Sequence, residues 1–267
     1  MQRENKSQVA KDIGVSRQLL YYHHKQHEKD WSLKTKIEAV LHEHPSYGHK
    51  RLAVHMQVNK KRVLRVMKLF GIKPYRKRGK RFRYNRLRRD LEFPNLLQRN
   101  IPLYPNHIWA SDFTHIAHGD RWVYLATIID LYTREIVGFS ILTSHSTELI
   151  INALLSAVHH NPPASILHSD HGAEYCSADY AHICDTLGIT QSMSQPGCPW
   201  ENGYQESFYS QFKIDLGDPS RCATLGELVY TIYRTIYQYN HTRIHSKLKM
   251  PPVMYSRRYQ ELHRHSV

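Results

Sequence analysis

Three apolar segments in the middle of the chain constrain its fold more than any other feature. They cover residues 108–116, 122–130 and 136–142 and are rich in β-branched and aromatic residues, which favours strands. Only the short turns HGDR and LYTR separate them, so we predict three consecutive antiparallel strands. Downstream, hydrophobic periodicity and turn signals predict an alternation of helices and strands, as in α/β folds. The expected elements are a helix after Ser146, a strand over 165–170, a helix over 178–187, a strand over 189–193, and helices over 201–215 and 225–239.

The charge is divided unevenly along the 267 residues. Residues 1–100 contain 26 Lys+Arg and 8 Asp+Glu, a net charge of +18, whereas residues 101–267 contain 11 and 15, a net charge of −4. A basic region beside an acidic remainder is typical of a polyanion-binding segment joined to a separate domain. We therefore expect a nucleic-acid partner. An anionic membrane surface is the alternative, but the sequence has no basic amphipathic helix with a Trp/Phe/Leu face.

The remaining composition narrows the class of protein. No uninterrupted apolar run reaches 18 residues, and the polar N-terminus lacks the apolar core of a signal peptide, so we expect a cytoplasmic protein. The four cysteines are spaced by 8, 14 and 24 positions, which matches no paired zinc motif, and we expect free thiols. Residues 1–100 contain no cysteine, which argues against a structural zinc site there.

Two helical units are predicted within the basic region. In the first, the spacing of Ala10, Gly14 and Ser16 is that of a helix-turn-helix, which would place Arg17 and Gln18 at base edges. The alternative is an ordinary helical hairpin. The second unit has an apolar face that starts at Leu33, a short helix over 50–57, and a last helix capped by Asn59 and ended by Gly71. Basic side chains lie off the apolar stripe of this last helix and are candidates for phosphate contacts, unless they form a solvated face: Lys60, Lys61, Arg62, Arg65 and Lys68.

A basic linker follows the second unit. Residues 73–89 contain ten basic residues and no acidic ones, and Pro74 and Gly79 interrupt them. Such a segment cannot bury enough apolar surface to fold alone, so we expect it to become ordered on DNA rather than to act as a plain tether. The basic residues proposed to contact DNA here are Arg76, Lys77, Arg78, Lys80 and Arg81.

Three acidic residues occupy places where such an α/β core would bring them together. Asp112 lies inside the first predicted strand, where an unsatisfied carboxylate is costly. Asp170 ends the fourth strand, and Glu206 lies about one turn into a helix 35 intervening residues later. Taken singly, each acid has an ordinary structural explanation. Together, neighbouring carboxylates require cations, and oxygen-only ligands favour Mg²⁺ or Mn²⁺ over zinc. Two such ions would promote in-line phosphoryl transfer.

Four sequence blocks, in this order, carry a family resemblance: HIWASDFTHI, ILHSDHGAEYCS, SMSQPGCPWENGYQESFYSQFK and YNHTRIHSKLKMPPVMY. They resemble the orfB-type transposases of the insertion sequence 3 group, within the superfamily of DDE transposases and retroviral integrases. The resemblance covers roughly 33–255. It implies a ribonuclease H-like core, a mixed five-stranded sheet with flanking helices, which agrees with the predicted order βββαβαβα. It also implies that Asp112, Asp170 and Glu206 are the catalytic, metal-binding triad.

Other residues are assigned less directly. The resemblance implies that Lys213, which lies on the same side of its helix as Glu206, contacts the transposon end; a surface lysine is the alternative. Glu201 is a rival metal ligand, but the match to QES favours Glu206. The segment WENG stands where the family more often has an aromatic residue followed by Asp-Asn-Ala, so the resemblance assigns no DNA contacts to this loop. His168 and His171 flank Asp170 and are candidates to orient it or a phosphate.

The resemblance implies a DNA transposase that cleaves the ends of an insertion sequence and transfers the freed 3′-hydroxyl into other DNA, using two Mg²⁺ ions per site, with Mn²⁺ as a substitute. Its partners would be terminal inverted repeats, target DNA, further copies of itself in a dimer or higher multimer, and an upstream orfA-type protein. It would be a bacterial cytoplasmic protein that joins the nucleoid when bound to DNA. The alternatives are a non-catalytic helix-turn-helix repressor and a ribonuclease H-like nuclease without strand transfer.

The predicted organisation has five parts. They are a helix-turn-helix segment over 1–30, a second helical DNA-binding domain over 31–72, a basic linker over 73–100, the catalytic core over 101–218 and a C-terminal helical extension over 219–267.

Overall fold

A computed structural model describes residues 10–12, 14–16, 18, 26–75, 93–195 and 198–263. Its centre is a five-stranded sheet in the order β3-β2-β1-β4-β5. β2 is antiparallel to β1 and β3, whereas β4 runs parallel to both β1 and β5. This is the predicted ribonuclease H-like arrangement. The strands are β1 (Ile108–His118), β2 (Arg121–Asp130), β3 (Ile136–Leu142), β4 (Ile166–Ser169) and β5 (Thr190–Met193).

Eight α-helices accompany the sheet in the described part of the chain from residue 26 onward. Three precede it and five follow its third strand, interleaved with β4 and β5. They are α1 (Gln26–Glu43), α2 (His49–His55), α3 (Lys60–Leu69), α4 (Thr147–His160), α5 (Ala178–Thr186), α6 (Gly203–Leu216), α7 (Leu225–His241) and α8 (Pro252–His263).

The sheet is covered on both faces. On one face, the core includes Ile128 of β2 and Leu154 of α4, and α5 completes the layer. α4 approaches β3 closely because Gly138 has no side chain: a Cβ there would lie 2.5 Å from the carbonyl oxygen of Ala153. On the other face, α6 and α7 pack on β1 to β3 through residues such as Phe208 and Ile232. The result is a three-layer domain whose central strands are protected from water.

α1 to α3 form a separate apolar cluster around residues such as Ile37 and Val63. The side chain of Asn59 caps α3 by accepting a 2.8 Å hydrogen bond from the Lys61 N–H, as predicted. Gly71 follows α3 with φ +65°, a conformation that favours glycine. The unit is attached to the part of the chain that contains the sheet, because Ile244 joins its apolar cluster.

Two predicted boundaries need correction. α1 begins at Gln26, so the boundary predicted between residues 30 and 31 falls inside a helix. The reason is Asp30, which is buried and accepts two hydrogen bonds from Arg65 of α3, so this turn belongs to the second unit. The boundary predicted after residue 218 separates α7 from the sheet that it covers. α7 is therefore a layer of the core and not an extension.

Some predictions fall largely outside the described residues. Most of the segment 7–25, with Arg17, and most of the linker, with Arg76 to Arg81, lie there. Gly14 is described and has φ +70°, as a tight turn requires. The four cysteines, all of them among the described residues, form no disulfide with one another. None of the described helices combines the length and apolarity needed to cross a membrane.

Candidate active site

The parallel pairing of β1 with β4 brings the first two acids together. The last pair in this ladder joins Ala110 to His168. Asp112 lies two residues beyond this pair within β1, and Asp170 lies two residues beyond it, just past the end of β4. The Asp170 carboxylate is close enough to raise the pKa of Asp112. Asp112 is held by the Phe113 N–H, which donates to its Oδ1 at 2.8 Å. Asp170 accepts a 3.2 Å hydrogen bond from the Gly172 N–H.

The two aspartates lie in an environment that opposes their charge. Burial raises the pKa of Asp112 to about 7, and the carboxylates of Asp170 and Glu206 contribute to this increase. The Phe113 N–H and the Lys213 ammonium act in the opposite direction. Burial likewise raises the pKa of Asp170. All three acids and Lys213 therefore lie within electrostatic range of one another, and a cation among the acids would stabilise their ionised forms.

Buried polar side chains of α6 anchor this helix across β1 and β2. The Gln205 amide donates to the carbonyl oxygens of Ala110 at 2.5 Å and Thr127 at 3.0 Å. The Tyr209 hydroxyl donates to the carbonyl oxygen of Asp112 at 2.7 Å. Sequence reasoning missed both residues. The signal was a glutamine and a tyrosine at i and i+4 beside the predicted catalytic Glu206, on a helix face that must contact the sheet.

Glu206 and Lys213 share one side of the anchored α6, since seven residues bring a helix back to within about 20° of its starting direction. Glu206 lies in the first turn of α6 and is exposed. Within the described ranges, no three His, Cys, Asp or Glu side chains lie close enough to hold a metal ion. The acids therefore share an electrostatic neighbourhood, but they do not form a closed set of ligands.

Glu201 has a different place from Glu206. It lies in a short 3₁₀ helix, Pro199–Asn202, just before α6. Both of its carboxylate oxygens accept hydrogen bonds, Oε2 from the Gln195 N–H at 2.8 Å and Oε1 from the Gln98 amide at 3.1 Å. Its carboxylate therefore holds the loop before α6.

The two histidines beside Asp170 have different surroundings. His168 is fully buried, its Nδ1 forms a 2.9 Å hydrogen bond with the Ser192 hydroxyl of β5, and burial lowers its pKa to about 4. It is therefore bonded to the neighbouring strand, and no hydrogen bond to Asp170 is formed. The charge of His171 lowers the pKa of Asp170, so this histidine is the one placed to influence the carboxylate.

The residues predicted to bind DNA are spread over several places. Lys60, Lys61 and Arg62 are exposed on α3, as is Gln18 near the N-terminus. Arg65 is also exposed, but its guanidinium forms hydrogen bonds of 2.8 and 2.5 Å with the buried Asp30. Arg65 therefore has a structural partner that its neighbours on α3 do not share.

Comparison with known proteins agrees with this architecture. Two matches to the integrase core domain family cover residues 102–199 and 187–252. The chain is 35% identical over 226 residues to the transposase of insertion sequence element IS904 from Lactococcus lactis, covering 81% of this chain and 89% of that protein. It is 33% identical over 156 residues to transposase InsF of insertion sequence IS3A from Escherichia coli, covering 57% of this chain and 54% of that protein.

A solved structure with a similar fold is the catalytic core domain of HTLV-2 integrase in complex with magnesium. It has 19% sequence identity and a TM-score of 0.46, with 58% of this chain and 99% of that chain covered.

The fold and the sequence matches thus define an integrase-type protein with a ribonuclease H-like core. Within that class, the chain belongs to the transposases of the insertion sequence 3 group.

Proposed function

We propose that the protein cleaves DNA at the ends of an insertion sequence and transfers the freed 3′-hydroxyl to a second phosphodiester, with Asp112, Asp170 and Glu206 as the catalytic acids. The observation that supports this most strongly is that Asp112 and Asp170 follow the parallel pairing of β1 with β4 and that the charge of Asp170 raises the pKa of Asp112. α6, anchored by Gln205 and Tyr209, carries Glu206 and Lys213 toward the same place.

The donor set fits a divalent cation with hard oxygen ligands. The three candidates offer carboxylate oxygens only, and burial together with mutual repulsion raises the pKa of Asp112 to about 7. A bound Mg²⁺ or Mn²⁺ pair would supply Lewis-acid activation of the attacking oxygen and stabilisation of the leaving oxygen. For all three carboxylates to bind the same metal ions, Glu206 would have to move toward Asp112 and Asp170. Glu206 lies in the first turn of α6, where the N-cap residue Asn202 makes no side-chain cap.

The protein's own residues would position the reacting groups. The backbone N–H groups of Phe113 and Gly172 fix the directions of the Asp112 and Asp170 carboxylates. Lys213, on the Glu206 side of α6, would bind a phosphate of the transposon end beside the scissile bond. In the first step, water attacks phosphorus and the 3′-oxygen leaves as a 3′-hydroxyl. In the second, that 3′-hydroxyl attacks the phosphorus of another phosphodiester, whose own 3′-oxygen leaves as a new 3′-hydroxyl. Neither step needs a covalent bond to the protein.

The same proposal includes the partners. Both ends of an element must be cut and joined together, so we propose a dimer or higher multimer assembled on terminal inverted repeats and target DNA, and an upstream orfA-type protein that works with this chain. The exposed basic residues of α3, together with the basic residues of the linker sequence, would hold the DNA backbone. Association with the nucleoid would follow from this DNA binding.

One assay tests the activity against its alternatives. Labelled DNA carrying the element end is incubated with the protein and Mg²⁺ or Mn²⁺, and nicked and joined products are separated. We expect both products from the wild type and neither from Asp112→Ala or Asp170→Ala, while both variants still bind DNA. Asp120→Ala, which changes an exposed acid in the turn between β1 and β2, is the matched control and should remain active.

The products distinguish the classes of protein. Joined product from Asp170→Ala would contradict the assignment of the acids. Nicking without joining in the wild type would indicate a nuclease, and binding without either product would indicate a repressor.

A further inference from the structure

A cavity on the opposite side of α6 from Glu206 is a second candidate binding site. Its volume is about 450 Å³, within the usual range for small-ligand sites. Ile129, Phe208 and Tyr239 supply apolar walls, and Trp200 and Tyr204 are exposed at the site. From α6, Tyr204, Ser207 and Gln211 line it, roughly 100–160° around the helix from Glu206. The cavity is therefore separate from the three acids but only one helix diameter away.

Arg134 is the unusual residue of this cavity. It is only 5% exposed, yet its Nε and Nη1 atoms are buried without a hydrogen-bond partner. The guanidinium lies 4.2 Å from the centre of the Tyr204 ring, which covers one of its faces. A buried cation with unmade hydrogen bonds is costly, so an acceptor that enters the cavity would remove a penalty that the free protein carries.

The backbone holds Arg134 in place despite strain. Its φ is 64°, in the left-handed region where glycine or asparagine is cheaper. Asp130 fixes this turn: its Oδ1 accepts hydrogen bonds from the N–H groups of Tyr132 at 2.6 Å and Thr133 at 3.0 Å, and its carbonyl oxygen accepts one from the Arg134 N–H at 2.8 Å. The turn between β2 and β3 thus fixes a strained residue at the wall of the cavity.

The other polar groups of the cavity favour an anion. Lys247 and Arg243 line it, and His245 has a buried Nδ1 atom without a hydrogen-bond partner. Burial lowers the pKa of His245 to about 4, and the charges of Arg134, Arg243, Arg51 and Lys247 contribute, so this histidine is neutral and experiences a positive potential. The acid that lines the cavity is Glu201, whose carboxylate oxygens accept hydrogen bonds from Gln195 and Gln98.

We propose that this cavity binds one unpaired nucleotide of a DNA strand, with its phosphate on the N–H edge of Arg134 and near Lys247, and its base against the rings at Trp200 and Tyr204. An anionic group joined to a flat, apolar ring system matches a site that combines unpartnered cationic N–H groups with aromatic walls. The proposal rests on the proposed action on DNA, and it adds that a base leaves the duplex beside the catalytic acids. Removing one nucleotide from the stack would give the strand a fixed position relative to Glu206.

The test uses the full chain without divalent metal, so that no strand is cut. Binding is measured by fluorescence anisotropy with two labelled duplexes of the same sequence, one fully paired and one with a single unpaired 2-aminopurine nucleotide. We expect the wild type to bind the second duplex about tenfold more tightly, from one stacked base and one charge-assisted phosphate contact. Arg134→Gln and Ser207→Trp, which fills the cavity from α6, should both lose this preference and keep their affinity for the paired duplex.

Two controls separate the phosphate contact from folding. Arg234→Gln changes an exposed arginine of α7 and should retain the preference. Replacing the phosphodiester beside the unpaired nucleotide by an uncharged methylphosphonate should weaken wild-type binding but leave Arg134→Gln unaffected. A wild type that binds both duplexes equally, or an Arg134→Gln variant that keeps the preference, would overturn the proposal. If the protein nicks and joins ends without the preference, only the cavity proposal fails; if it has the preference without either product, only the proposed function fails.

Discussion

The two sides of α6 have opposite electrostatic needs. On one side, Glu206 lies near a region where burial, together with the charges of Asp170 and Glu206, raises the pKa of Asp112 to about 7. On the other, Tyr204, Ser207 and Gln211 line a cavity whose nearby cations and burial lower the pKa of His245 to about 4. The first side is stabilised by added cations and the second by an added anion. A DNA strand and the divalent ions bound to it could supply both the cations and the anion, so α6 would contact the strand through both of its sides.

The cations of the second side also differ among themselves. Arg243 is buried and its hydrogen bonds are made, to Asp215 at 2.7 Å and to Ser46 and Gln211 at 3.0 Å each. Arg134 is equally buried but has two nitrogens without a partner. Burial alone therefore does not separate a structural cation from a binding cation. What distinguishes the two arginines is the number of hydrogen bonds that each leaves unmade.

The largest expected effect concerns the acidic side. Glu206→Gln should reduce nicking and joining on the order of a thousandfold or more, because a metal ligand contributes several kcal/mol to transition-state stabilisation. Glu201→Gln should cause a much smaller loss, because its carboxylate accepts hydrogen bonds from the loop. Rates of strand cleavage in Mg²⁺ compare the two variants. Equal losses of cleavage rate would contradict the proposal that Glu206, and not Glu201, is the metal ligand.

Stability should separate the two buried arginines. Arg243→Ala leaves the buried Asp215 without its ion-pair partner and should lower the free energy of unfolding by about 3–5 kcal/mol. Arg134→Gly loses the contact with Tyr204 but removes the strain of a non-glycine residue in the left-handed conformation. The free energy of unfolding should therefore change by less than about 1 kcal/mol. Urea unfolding measures both. A large loss for Arg134→Gly would mean that Arg134 is structural.

Acid should weaken the cationic side through His245. Its pKa in the folded protein is about 4 against an ordinary 6.5, so between these values the unfolded chain binds a proton that the folded protein does not. The contribution of His245 to stability is therefore complete above pH 6.5 and is lost as the pH falls toward 4. His245→Asn should flatten the pH dependence of the free energy of unfolding between pH 6.5 and 5. His182→Asn, which changes an exposed histidine, should leave this pH dependence unchanged. If His245→Asn also left it unchanged, the role of His245 would be contradicted.

The smallest effect is expected from the exposed lysines Lys60 and Lys61 of α3, which do not share the buried partner of Arg65. Lys60→Gln and Lys61→Gln should each reduce the slope of log affinity against log salt by about 0.9 if the residue contacts a phosphate of duplex DNA. Arg76, Lys77 and Arg78 should behave in the same way. Lys34→Gln, whose lysine pairs with Glu38 at 2.8 Å, is the control. An unchanged slope would remove the phosphate role.

The sequence predicted the elements of the core because their signals are local. β1 to β3 are apolar, β-rich and separated by short turns, and β3 has the predicted bounds, Ile136–Leu142. α8 was missed because it buries only Pro252, so its polar residues show no apolar stripe. The proximity of Asp112 and Asp170 could be expected only after the fold was inferred, because it depends on the parallel pairing of β1 with β4, which are distant in the sequence.

The candidate site was predicted unequally. The three acids and Lys213 belong to sequence blocks with a recognisable order, but the anchors Gln205 and Tyr209 act through hydrogen bonds to strands about 80–95 residues away. Arg134 gave no signal at all. An arginine in a turn is normally solvated, and neither its burial nor its unmade hydrogen bonds can be read from neighbouring residues.

The central claim is that Asp112, Asp170 and Glu206 converge on divalent metal. The most direct measurement is a crystal structure of the protein with Mn²⁺ and an element end, in which the anomalous signal of manganese locates each ion. We expect ions between the three carboxylates, with Glu206 drawn in from its exposed position to ligate one of them. Manganese bound elsewhere, or bound between the aspartates with Glu206 still turned to solvent, would contradict the account.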